Sequence, residues 1–125
     1  MKKIISTQNA PAAVGPYSQA VEVFGTLYIS GQIPLDPVSG KLVEGGIKEQ
    51  TQRVLKNIEA ILEEAGYSFE NVVKSTCLLA NIEDFQSMNE VYSQFYKEDM
   101  PARAAFAVKD LPKGALVEIE TIAVK

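Results

Sequence analysis

Residues 47–66 read IKEQTQRVLKNIEAILEEAG, and this stretch decides the architecture. Its apolar side chains fall at Ile47, Val54, Leu55, Ile58, Ile61, Leu62 and Ala65, the spacing of one face of an α-helix. Gln52, Lys56, Glu59 and Glu63 occupy the opposite face, and Gly66 offers strain-free positive φ just past the last turn. Such a helix must bury its apolar stripe against another element. Strand-like runs lie on both sides of it. Upstream are residues 3–7, 20–24 and 27–30; downstream are 72–80, 102–109 and 116–124. Gly25-Thr26 separates two of these runs, and glycine first in a two-residue connection suits a type II′ hairpin. A second helix follows residue 80, with Asn81 as N-cap and Asp84 near its positive end. Its stripe is Ile82, Phe85, Met88, Val91, Tyr92 and Phe95, and Pro101 marks its end. Leu111-Pro112-Lys113-Gly114 is a turn between the last two strands.

The order β-β-β-α-β-α-β-β predicts one α+β domain over residues 1–125, with both helices on one face of the sheet. In the last strand Val117 and Ile119 point away from Leu116 and Ile122, so apolar residues lie on both faces. The face left uncovered by helices predicts self-association.

Composition narrows the function. The 125 residues are 46% hydrophobic and 22% charged, ordinary values for a globular chain. There is no histidine, which excludes Ser–His and Cys–His nucleophile pairs and imidazole metal ligands. The single cysteine, Cys77, permits no internal disulfide, and in mid-strand it reads as a buried, inert thiol. Twelve Lys and Arg against sixteen Asp and Glu give a net charge of −4, and the arginines are Arg53 and Arg103 alone, a balance that argues against nucleic-acid binding. The N-terminus turns polar at Ser6, too soon for a signal peptide, and no apolar run nears the ~18 residues of a membrane span. The expected compartment is the cytoplasm. Residues 31–46 lack phosphate-loop spacing and no acidic cluster has calcium-loop spacing, so neither a phosphate loop nor a metal site is expected.

Few polar residues remain to carry chemistry. Arg103 follows Pro101 at a strand start among the small residues Ala102, Ala104 and Ala105; it is either a carboxylate clamp or a surface ion-pair partner. Period two places Glu118 and Glu120 on one face with Leu116 and Ile122. A carboxyl among apolar neighbours and beside another acid holds its proton more tightly, which suits acid–base work; a solvated strand face is the alternative. Ser30-Gly31 ends an apolar strand, where glycine admits close backbone approach, or simply begins a turn. Tyr17, after Gly15-Pro16, is a pocket phenol or a packed aromatic, and Asn89 and Tyr92 share one side of the second helix.

Taken together and in order, these segments resemble one family. They are residues 10–19 (APAAVGPYSQ), 30–34 (SGQIP), 89–92 (NEVY), 101–103 (PAR), 111–114 (LPKG) and 117–120 (VEIE). The chain is similar over its whole length to the RidA (YjgF) family of reactive intermediate deaminases, also called endoribonuclease L-PSP. The resemblance implies a chorismate-mutase-like fold and a homotrimer with ligand clefts between subunits. It implies hydrolysis of enamines and imines bearing a carboxylate, of the 2-aminoacrylate type, without a cofactor. By the family pattern Arg103 binds the substrate carboxylate and Glu118, not Glu120, handles the attacking water. Tyr17, Ser30, Gly31 and Asn89 match cleft-lining positions, with Tyr92 beside them, and a backbone N–H is available at Ala105. Many bacterial members have Pro-Ala-Arg-Ser-Cys where this chain has Pro101-Ala102-Arg103-Ala104-Ala105, so no thiol serves here. A ribonuclease and a non-catalytic binder of keto acids are the rival readings.

Overall fold

The apolar stripe of residues 47–65 finds its sheet. The computed structural model describes all 125 residues. Helix α1 spans Ile47–Ala65, and Gly66 adopts φ 81° beyond it, so both boundaries match expectation. Glu49 accepts the Gly46 N–H at 2.9 Å, satisfying one of the donors left free at the helix start. Val54, Leu55, Ile58, Ile61 and Leu62 are fully buried, facing Leu27, Cys77, Leu79, Val117 and Ile119 from the strands in one core.

The strands are β1 (Lys3–Ile5), β2 (Ala20–Val23), β3 (Thr26–Gln32), β4 (Val72–Leu79), β5 (Ala102–Ala107) and β6 (Val117–Val124), and α2 covers Phe85–Phe95. They form one sheet in the order β1-β2-β3-β6-β4-β5. All neighbours are antiparallel except β4 and β5, which α2 connects in parallel. Because β6 is antiparallel to both β3 and β4, the unit β3-α1-β4 is a βαβ crossover with β6 inserted between its strands. Both helices pack on one face, as expected. No helix is long and apolar enough to cross a membrane.

Local details differ from expectation for physical reasons. Val23 pairs with Thr26, so the hairpin turn is Phe24-Gly25, one residue earlier than Gly25-Thr26. Its φ values of 48° and 80° are both positive, the type I′ requirement and not type II′. Phe24 accepts a conformation that its side chain disfavours, and Gly25 is held because any Cβ there would lie 2.8 Å from the Lys125 carbonyl oxygen. Asn81 does cap, accepting the Glu83 N–H at 2.9 Å, but it caps a 3₁₀ turn over Ile82–Asp84. Helix α2 therefore starts at Phe85, and Ile82 is exposed. The helix ends at Phe95, well before Pro101, where Tyr96 turns extended and buries its ring on Phe69 at 5.1 Å.

Asn57 ties the long connection before α1 to the helix. Fully buried, it donates to the Leu35 carbonyl at 3.1 Å and the Ile33 carbonyl at 3.4 Å, and accepts from Arg53 Nε at 3.0 Å. Asn57→Leu keeps the volume but strands these partners. It is expected to destabilise the fold by about 1–3 kcal/mol, read as a lower urea midpoint at unchanged m.

Candidate functional site

The sheet sorts the candidate residues into two places. On the face without helices, Glu118 of β6 lies opposite Leu78 of β4, as strand parity requires. A bulge in β3 between Ile29 and Gln32 brings Gly31 against Glu118. A Cβ at Gly31 would collide with Glu118 Oε2 and approach Cδ at 3.0 Å, so only glycine leaves the carboxyl where it is. Gly31→Ala is expected to leave thermal stability nearly unchanged, because the flexible carboxyl swings aside. Any reaction that uses this carboxyl is expected to fall more than about tenfold, read as kcat/KM.

Burial pushes the Glu118 carboxyl above its ordinary value, and the Glu120 charge adds to the effect. Glu120 lies on the same face, as expected, but is exposed. A cleft of about 770 Å³ opens over this pair, lined also by Tyr17, Ser30, Gly31 and Lys113. Its wall is braced by Gln19, whose buried side chain donates to Thr7 O at 3.0 Å and Pro11 O at 2.8 Å and accepts from Thr7 N at 2.7 Å. Ser30 spends its hydroxyl on the Ser18 carbonyl at 2.6 Å, so it fixes the loop that carries the half-exposed Tyr17.

Arg103 is elsewhere. It pairs with Ser75 in the β4–β5 register and therefore points to the helix side, at the edge strand. Its Nη1 donates to Asn89 Oδ1 at 2.7 Å. The guanidinium carbon sits 4.9 Å from the Tyr92 ring centroid and 5.5 Å from that of Phe85, within cation–π range of both. Asn89, Tyr92, Met100, Pro101 and Arg103 border a hollow of about 340 Å³. Ala105 lies on the same face as Arg103, packed against the core.

Thus one chain brings together Tyr17, Ser30, Gly31 and Glu118 in one cleft and Asn89, Tyr92 and Arg103 in another. A single pocket holding both Arg103 and Glu118 is not formed within this chain, because β5 and β6 present these side chains on opposite faces. Sequence reasoning missed Phe85 as a neighbour of the arginine, although Phe85, Asn89 and Tyr92 are spaced by four and three, one helical face. It also missed Lys113, which lines the larger cleft at φ 57°; nothing in the local sequence signals that backbone state. The Cys77 thiol is buried and pushed up to about 11 by that burial, consistent with an inert core residue.

Known proteins resemble this chain over essentially its whole length. The profile of the family described as endoribonuclease L-PSP matches residues 7–125. A human protein named 2-iminobutanoate/2-iminopropanoate deaminase is 54% identical over 125 residues, covering 100% of this chain and 91% of its own. The crystal structure of RidA from the Antarctic bacterium Psychrobacter superposes with TM-score 0.95 at 50% identity, covering 98% of this chain and 99% of that one. Escherichia coli TdcF with bound serine gives TM-score 0.94 at 40% identity, covering 98% of each chain.

Proposed function

The chain belongs to the endoribonuclease L-PSP (RidA) family, and from that premise we propose that it is a 2-iminobutanoate/2-iminopropanoate deaminase. It converts enamines and imines of the 2-aminoacrylate type to 2-keto acids and ammonia, and it works as a homotrimer in which two subunits build each site. The observation that carries the catalytic reading is Glu118. A half-buried carboxyl with strengthened proton affinity, at the floor of a cleft, suits a water-activating base. A protein that merely binds carboxylates gains nothing from such a group.

The division of residues supports the assembly. Arg103 stands on the exposed edge strand and Glu118 on the uncovered face, whose exposed apolar side chains include Ile4, Tyr28, Phe106 and Val124. Covering that face with a second copy buries the apolar surface and lets Arg103 of one subunit approach Glu118 of the next.

The chemistry then follows from few groups. The enamine takes a proton at carbon to become an iminium, and Arg103 holds the substrate carboxylate through donors that Asn89 leaves free. Glu118 accepts a proton as water forms a C–O bond at the imine carbon. The same carboxyl returns that proton to nitrogen; the C–N bond then breaks as the hydroxyl oxygen forms C=O and gives up its proton, which the departing ammonia takes, releasing the keto acid and ammonium. Tyr17, Ser30, the Gly31 backbone and the Ala105 N–H border the reacting centre. The reaction already proceeds in water, so one base and one clamp supply an adequate rate gain of about 10²–10⁴ each at most.

The test is a coupled assay. A serine/threonine dehydratase generates 2-aminoacrylate from serine, and pyruvate release is followed with and without this protein. Acceleration proportional to protein concentration is expected. No acceleration at high protein overturns the deaminase reading and leaves keto-acid binding as the activity to measure.

A further inference from the structure

One row of side chains on the helix side of the sheet is polar where the surrounding core is apolar. In register across three strands stand Arg103 of β5, Ser75 of β4 and Thr121 of β6. Ser75 and Thr121 are 0% and 1% exposed. Tyr92 and Tyr96 cover this row, their rings 4.5 Å apart, and both phenols neighbour the Ser75 hydroxyl. None of the four hydroxyls makes a hydrogen bond of good distance and angle within the chain, although the Ser75 hydroxyl lies within side-chain reach of both phenols.

A buried hydroxyl without a partner is destabilising on the scale of a lost hydrogen bond, and one shared partner would satisfy all four groups of the cluster at once. A water accepts and donates up to four hydrogen bonds, and each hydroxyl can turn to donate or accept. We infer that Ser75, Tyr92, Tyr96 and Thr121 together bind an internal water, and that this hydrated cluster fixes the Tyr92 ring against the Arg103 guanidinium. Burial holds both phenols protonated, so their donors persist across the working pH range. Tyr96 and Thr121 are then positioning residues for the carboxylate clamp. Their effect passes through Tyr92, whose face lies 4.9 Å from the guanidinium carbon. The kinetic part of this inference rests on the deaminase reading; the water itself does not.

Thr121→Val, Thr121→Ser and Tyr96→Phe test it, alongside a high-resolution crystal structure of the unaltered protein. The crystal is expected to show an ordered water within hydrogen-bond distance of the four hydroxyls. Thr121→Val and Tyr96→Phe are each expected to lower Tm by roughly 3–6 °C. Their KM for 2-aminoacrylate is expected to rise severalfold with kcat unchanged, and Thr121→Ser is expected to restore KM. A Tm that rises in Thr121→Val overturns the water, since it means the native hydroxyl has no partner. Direct hydroxyl–hydroxyl bonds in the crystal overturn it equally. A lowered Tm with unchanged KM overturns the positioning role. If the unaltered protein deaminates nothing, the deaminase reading fails by itself. Crystal and Tm then still decide the water, and the Kd for pyruvate replaces KM in deciding the positioning role.

Discussion

Arg103→Ala is expected to lower kcat/KM for 2-aminoacrylate by about 10²–10⁴ and to leave the fold intact. The size follows from what is removed. A guanidinium gripping a carboxylate makes charge-assisted hydrogen bonds, each contributing about 1.5–3 kcal/mol, and a bidentate pair makes two. Because the carboxylate takes no part in bond making, it is held alike in ground and transition states, so most of the loss is expected in KM. The structure supplies a sharper control. Phe85 and Tyr92 flank the guanidinium plane and Asn89 accepts one of its N–H groups, a setting for a flat fork and not for a point charge. Arg103→Lys is accordingly expected to recover only part of the loss, staying at least about tenfold below the unaltered protein. Arg103 is exposed and on an edge strand, so Tm is expected to move by little. Full activity in Arg103→Ala overturns the clamp.

Much of this arrangement could be read from residues alone, and the parts that could not share a cause. Helix α1 announced itself because its stripe repeats over five turns and Gly66 closes it; both are local signals. Strand parity put Glu118 and Glu120 on one face for the same reason. The relation between Arg103 and Glu118 is not local. It depends on β4 lying between β5 and β6, and on the register that sets Arg103 beside Ser75 and Glu118 beside Leu78. A one-residue change in either register reverses the answer, and no feature of the sequence fixes it. The hairpin shows the same limit at short range. Gly25 marked the turn, but the pairing of Val23 with Thr26 pulled Phe24 into a positive φ that its own preferences oppose. The polar row of Ser75 and Thr121 passed unseen because Ser and Thr in β-strands ordinarily face solvent. Tyr92 and Phe85 were visible as core stripe residues, but their contact with Arg103 emerges only when α2 crosses the edge of the sheet.

Glu118→Gln is expected to reduce kcat by about 10²–10⁴ while leaving KM nearly unchanged, the range for loss of a positioned acid–base group. The pH dependence distinguishes this from a packing defect. Burial and the Glu120 charge raise the Glu118 carboxyl above its ordinary value, so the base loses activity as pH falls through that raised value. The activity limb on the acid side is therefore expected above the ordinary glutamate range, and absent in the residual activity of Glu118→Gln. Stability moves the other way. A carboxyl that binds its proton more tightly folded than unfolded disfavours the folded state once it is ionised. Glu118→Gln is thus expected to raise Tm at neutral pH, with the gain fading as pH falls from the raised folded value to the unfolded one and absent below it. Combining the two inactive variants then tests the assembly. Arg103→Ala and Glu118→Gln remove groups that stand on opposite faces of one protomer. If each site of the proposed trimer takes its arginine from one subunit and its carboxyl from the next, every mixed trimer contains one intact site. Unfolding the two variants together in equal amounts and refolding them is expected to restore about a quarter of the unaltered activity. Refolding each alone is expected to restore none. Recovery absent from a mixture shown to contain mixed trimers means that the two residues never meet, and the catalytic assignment fails with it.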